Sequence, residues 1–128
     1  MRVALLVPAV LILLAGCISS SSEGLGYKNI DSDTLAEMLK NKDFLLVNVH
    51  IPYAGEIEGT DYNIPFNDKE GLSQLPKDAK IVLYCRSGAM SAEAAKTLVE
   101  MGYKNIYNLE TGMIGWKASG RQLINEPS

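Results

Sequence analysis

The chain has 128 residues, of which 12 are Lys or Arg and 15 are Asp or Glu, for a formal net charge of -3. That length supplies about one ordinary domain with one modest core. The slightly acidic balance excludes the basic stripe that nucleic acid or an anionic lipid surface would select.

Arg2 is the only early charge, and Val3 to Leu14 runs apolar and unbroken into Ala15-Gly16-Cys17. This is the n-region, h-region and small-residue cleavage layout of a secretory signal. The run falls short of the ~20 residues that a bilayer core requires, so a membrane span is not expected. Leu14-Ala15-Gly16-Cys17 resembles the bacterial lipobox, which implies that the Cys17 thiol is alkylated by diacylglycerol and becomes the new N-terminus on cleavage. The alternative is an ordinary secretory signal with an incidental cysteine. Ser19 to Ser22 and Glu23-Gly24-Leu25-Gly26 favour the anchor, because small, flexible residues let a domain stand off a surface. The expected organisation is a signal over 1–16, a lipidated Cys17 with a tether to 26, and a domain over 27–128, held outside the cytoplasm on a membrane. With Cys17 occupied, Cys85 has no partner within the chain. A disulfide framework is then excluded, and a free thiol in a compartment that is often oxidising suggests a use.

Asp31-Ser32-Asp33-Thr34 is rich in N-cap residues, and Leu35, Met38 and Leu39 follow at i, i+3, i+4, predicting an amphipathic helix to about Lys40. Phe44 to Val49 and Ile81 to Tyr84 are near-continuous apolar runs, the pattern of strands buried on both faces of a parallel sheet. Pro52, Gly55, Gly59, Pro65 and Gly71 punctuate the stretch between them. That stretch reads as mostly loop, with a short strand near Tyr62 to Ile64 and a helical turn before Pro76. From Ser91 to Met101, Ala92, Ala95, Leu98 and Val99 line one helical face, and Gly102 ends the helix. Lys104 to Leu109 reads as a strand and Met113 to Ala118 as a final helical turn or two. Alternating strands and helices imply parallel strands with right-handed crossovers, a three-layer α/β/α domain with its ligand site at the carboxyl ends of the strands.

Cys85 ends the strongest strand, and Arg86-Ser87-Gly88-Ala89-Met90 leads directly into the Ser91 helix. So short a passage must curl, pointing backbone N–H groups at the sulfur and adding the positive end of a helix dipole, which favours a thiolate or persulfide anion. Gly88 allows the curl and Arg86 adds a cation at the mouth. The bland reading is a structural cysteine ending a core strand, but Arg, Ser and Gly are poor residues with which to extend a buried strand. For any thiol, lowering the pKa from ~8.5 to ~6.5 raises the thiolate fraction at pH 7 about 25-fold, while the lost nucleophilicity costs roughly 8-fold. Such a loop therefore works mainly by orienting attack and by opposing developing charge with fixed dipoles.

Tyr84 to Ser91 and Gly112-Met113-Ile114-Gly115-Trp116-Lys117-Ala118-Ser119-Gly120 resemble the rhodanese homology domain, as do Leu46-Val47-Asn48-Val49-His50 and Gly59 through Pro65. The resemblance runs from about Tyr27 to the C-terminus. It implies a central five-stranded parallel sheet flanked by helices, a catalytic Cys85, and sulfur transfer from thiosulfate or a related small donor to a thiol or cyanide through a persulfide. The binding loop would comprise Arg86, Ser87, Gly88, Ala89, Met90 and Ser91. Three features depart from the family pattern: Asn48 and His50 stand where Asp and Arg are usual, Glu56 where a His is usual, and Ala89 and Met90 where an Arg is frequent. Phosphatases and arsenate reductases on the related fold use a longer loop, Cys then five residues then Arg; here that last position is Ser91, and the six-residue loop suits a single sulfur.

His50 is the only histidine, so no metal cluster or nucleophile–base pair is expected from it, and no cofactor is required. Trp116 and Met113 read as packing of the last helix, and Lys117 and Arg121 as a solvated rim. A monomer is expected, with small-molecule partners and the membrane through its lipid. The other open readings are a lipid-tethered binding module without catalysis, which the departures would allow, and a cysteine phosphatase or arsenate reductase.

Overall fold

The structure is a computed structural model that describes residues 24–128; the expected signal peptide, Cys17 and the first part of the tether lie outside the described residues. The elements run β1 (Lys28–Ile30), α1 (Ser32–Lys40), β2 (Leu45–Asn48), β3 (Tyr62–Asn63), α2 (Lys69–Leu72), β4 (Ile81–Tyr84), α3 (Ala89–Glu100), β5 (Ile106–Leu109) and α4 (Gly112–Ala118). All five strands pair in parallel, in the order β1-β5-β4-β2-β3. The expected five-stranded parallel sheet is therefore present, with β4 at its centre.

The pleat sorts alternate side chains to opposite faces. Val47, Val49, Ile81, Leu83 and Cys85 join Leu72, Ala94, Ala95, Leu98, Tyr103 and Ile106 in one core, against α2 and α3. Leu46, Val82, Tyr84 and Leu109 join Leu35, Phe44, Ile57, Met113 and Trp116 in the other, against α1 and α4. β2 and β4 are buried on both faces, which is why their sequences show apolar runs rather than alternation.

α1 starts where its cap dictates: the Asp31 carboxylate accepts a hydrogen bond from Thr34 N at 2.8 Å, and that bond holds its pKa below the usual carboxylate value. α3 begins earlier than the apolar face alone suggested, at Ala89, and buries Ser91 and Ala94 as well as Ala95 and Leu98. β1 was not anticipated, since Lys28-Asn29-Ile30 carries no period of its own; it exists because it pairs with Tyr107 to Leu109 of β5. Before it, Leu25 packs against the α3-side core, and Gly26 lies so near Val99 that a Cβ would sit 2.6 Å from its side chain.

Tyr84 pins the loop after β2. Its buried hydroxyl accepts from Ile57 N at 3.0 Å and lies 2.7 Å from Thr60 Oγ1. Burial pushes its pKa up to about 12. The neutral phenol is thus the form the fold holds, and the stability it contributes is complete below the ordinary tyrosine value of ~10 and lost as pH rises toward about 12. Tyr84→Phe is expected to lose about 1–3 kcal/mol in urea unfolding at neutral pH, because Ile57 N is left without its acceptor. The same measurement repeated across the alkaline window should show a shallower decline for the variant than for wild type.

Candidate active site

β4 delivers Cys85 to the carboxyl edge of the sheet with its side chain on the α3 face, 1% exposed. Two amides and one shared hydroxyl converge on the sulfur: Gly88 N at 3.1 Å, Ser91 N at 3.4 Å and Ser91 Oγ at 3.4 Å, with Gly88 O, 3.2 Å from Ser91 Oγ, competing for the single hydroxyl proton. Gly88 is the N-cap of α3 and has no side chain with which to cap it. The Cys85 sulfur takes that place, accepting the amide three positions into the helix as a capping Ser or Asp oxygen would. The amides of Ala89 and Met90, in the same first turn, have no acceptor within the helix by its geometry. A sulfur anion so placed meets fixed donors and the positive end of the α3 dipole together.

Two close approaches set this loop. Gly88 has φ +102°, and a Cβ there would stand 1.9 Å from the Glu110 carbonyl oxygen. Gly112 has φ +62°, and a Cβ there would meet the Arg86 and Cys85 carbonyl oxygens at 2.5 and 2.6 Å. Because nothing intervenes, the first amides of α4 reach the loop: Met113 N donates to Cys85 O at 2.9 Å and Ile114 N to Arg86 O at 3.0 Å. These two bonds fix the Cys85 and Arg86 carbonyls at the start of the loop, and the amides that meet the sulfur come from further along it, at Gly88 and Ser91.

Of the expected loop residues, Gly88 and Ser91 supply the donors, Met90 packs half-buried on the α3 core, and Arg86, Ser87 and Ala89 are exposed. Arg86 also lines a cavity of about 230 Å³ with Ala54, Met113, Ile114, Lys117, Leu123 and Glu126. Lys117 forms an ion pair with Glu126 at 2.8 Å. Arg121 points elsewhere, paired with Asp33 at 3.0 Å and 5.1 Å above the Trp116 ring. Met113 and Trp116 are core residues, as their spacing suggested.

The departures at Asn48 and Glu56 prove to be connected. Asn48 Nδ2 donates to Gly55 O at 3.2 Å and to Asn63 Oδ1 at 3.0 Å; Asn63 Nδ2 and Tyr53 Oη each donate to Glu56 Oε1 at 3.0 Å. His50 joins through its backbone N, 3.1 Å from Asn48 Oδ1. Its imidazole is driven toward the neutral form, chiefly by burial and then by the charge of Arg86. Its Nδ1 is buried without a hydrogen-bond partner. Among the described residues, no cluster of His, Cys, Asp and Glu is placed to hold a metal ion. Sequence reasoning missed Gly112 and the α4 amides, because a glycine in a motif does not reveal which backbone it approaches.

A family model described as a Rhodanese-like domain matches residues 30–119. A sulfurtransferase of Allochromatium vinosum is 33% identical over 103 residues, covering 74% of this chain and 92% of that protein. The thiosulfate sulfurtransferase GlpE of Pseudoalteromonas translucida is 26% identical over 98 residues, covering 74% and 93%. Among solved structures, a rhodanese-related protein of Thermoplasma volcanium superposes with a TM-score of 0.68 at 29% identity, covering 78% of this chain and 100% of that one.

Gly88→Ala and Gly112→Ala are each expected to lower stability by at least ~2 kcal/mol, since a positive φ and a backbone clash act together. Thermal unfolding measures this loss, and the rate of Cys85 alkylation in the folded fraction should change with it.

Proposed function

The chain belongs to the rhodanese-like family, and from that premise we propose that it is a sulfurtransferase carrying sulfane sulfur as a persulfide on Cys85. The observation that carries this reading is the convergence of Gly88 N, Ser91 N and Ser91 Oγ on one sulfur at a helix N-terminus. In the first half-reaction the Cys85 thiolate attacks the outer sulfur of thiosulfate or a related small donor. The donor's S–S bond breaks, sulfite leaves with the electron pair, and Cys85 keeps the sulfur as a persulfide anion. The loop amides then oppose the negative charge, without rearranging to do so. In the second half-reaction a thiol or cyanide takes the outer sulfur and the thiolate returns. Ser91, where a longer phosphate-binding loop would place its Arg, favours sulfur over a tetrahedral oxyanion.

Mixing the protein with thiosulfate and reading intact mass is expected to show a gain of one sulfur atom in wild type and none in Cys85→Ala. No gain in wild type, or an equal gain in the variant, would sink the reading; hydrolysis of an aryl phosphate would replace it with phosphatase chemistry. Ser91→Ala, which removes the shared hydroxyl, should slow loading about three- to tenfold.

The same reading places the domain outside the cytoplasm on a lipid at Cys17, supported by the Leu14-Ala15-Gly16-Cys17 pattern. Expression of the full chain in a bacterial host should put it in the detergent phase, and Cys17→Ser should move it to the aqueous phase; no shift between the two would remove the anchor.

A further inference from the structure

One helix spans the distance between the sulfur and the point where the chain enters the domain. α3 receives Cys85 Sγ at its first turn, through the Gly88 and Ser91 amides. Its last turn carries Val99, and Gly26 lies so close that a Cβ there would stand 2.6 Å from the Val99 side chain. Gly88 and Val99 are eleven residues apart, which at 1.5 Å per residue puts about 16 Å of helix between them. Leu25 packs against the α3-side core, so the entry is fixed to the fold at this point. The strand register agrees: Lys28 and Val82 both pair with Tyr107, and Cys85 lies three residues beyond Val82. The chain thus enters at the amino edge of the sheet, whereas the sulfur loop opens at the carboxyl edge. Around the entry, Gly26, Tyr27, Lys28, Lys104 and Tyr107 line a cavity of about 330 Å³. Lys28 and Lys104 are exposed and form no ion pair among the described residues.

We propose that the amino edge of the sheet is the face that meets phospholipid headgroups, and that the sulfur loop is held turned away from the membrane. The proposal rests on the lipid at Cys17 proposed above and assigns the orientation which that anchor imposes. Cys17 and Gly24 are seven residues apart, and seven residues span at most about 25 Å. With the amino edge down, the tether has only the headgroup layer to cross, about 6 Å. With the domain inverted, it must cross the same layer and run back along the length of α3, about 22 Å together. The inverted domain therefore holds the tether near full extension with few conformations remaining, a cost that the upright domain does not carry. Asp43 and Asp78 share the amino edge with Lys42 and Lys80, so the face is mixed in charge, and the tether rather than attraction to anionic lipid sets the orientation. Lys28 and Lys104 answer headgroup phosphates, which neutral and anionic phospholipids both carry. Donor and acceptor accordingly reach Cys85 from the aqueous phase and not from the bilayer surface.

The test uses the full chain, purified from bacterial membranes and reconstituted into phosphatidylcholine vesicles. A membrane-impermeant acetylating reagent labels the outward-facing copies, and peptide mass spectrometry reads each lysine. Three tethers are compared on the same vesicles: wild type, a deletion of Ser19–Ser22, and a variant with about twenty Ser and Gly residues inserted after Ser22. Relative to the long tether, labelling of Lys28 and Lys104 is expected to fall about two- to threefold in wild type, as for a face covered more than half the time, and further in the deletion. Lys117, which lines the cavity beside Arg86, should label equally in all three. Protection of Lys117 instead, or equal labelling of every lysine with all tethers, overturns the proposal. Protection that follows the density of protein on the vesicle, and not tether length, assigns the face to a second copy and overturns it too. A wild-type chain that stays in the aqueous phase overturns the anchor and this inference with it, whereas a chain that partitions with lipid but shows the inverted pattern overturns the inference alone.

Discussion

The hydrogen bonds from Met113 N and Ile114 N to the carbonyls of Cys85 and Arg86 are the constraint on which the rest of the site depends. A peptide plane is rigid, so fixing where its carbonyl points also fixes its amide. By holding two successive carbonyls, the last helix fixes the start of the loop, and the chain that follows presents the Gly88 and Ser91 amides to the sulfur. The positive φ values at Gly88 and Gly112, and their close contacts with Glu110, Cys85 and Arg86, allow the approach. The two helices near the edge therefore divide the work, α4 orienting the loop and α3 receiving the sulfur at its first turn.

That division follows from the parity of β4. Tyr84 and Cys85 are neighbours in sequence and face opposite layers. Tyr84 anchors the loop after β2 through Ile57 and Thr60, on the side where α4 and the C-terminal residues close the cavity. Cys85 faces α3, where the donors are. A one-residue slip of β4 would exchange the two, placing a phenol at the helix N-terminus and a thiol in the wall. The four residues of β4 are wholly buried, so such a slip would bury the wrong set on both faces.

Much of this was legible in the residues. The apolar run ending in Cys-Arg-Ser-Gly placed the sulfur at the strand's carboxyl end and anticipated inward amides, because both follow from local chain geometry. The elements that were not legible owe their form to partners distant in sequence. Lys28-Asn29-Ile30 is a strand only because β5 offers an edge, and Gly112 looks like any helix-starting glycine until Arg86 is brought beside it. Asn48 and Glu56 read as separate departures from a family pattern, whereas Asn63 joins them in one hydrogen-bonded group. The return of Ile124 to Glu56 left no period to detect, being a single bridge.

The pairing of Lys28 with Tyr107 joins strands near the two ends of the domain. Parallel pairings of such long sequence separation require large loops to close before any contact repays them, and they form late and slowly. β5 must also be in place before α4 can reach the loop. A growing or partly folded chain accordingly carries Cys85 as an ordinary thiol on an unstructured segment, with neither cradle nor cap. The set of donors around the sulfur is a property of the finished molecule, complete when the last helix docks.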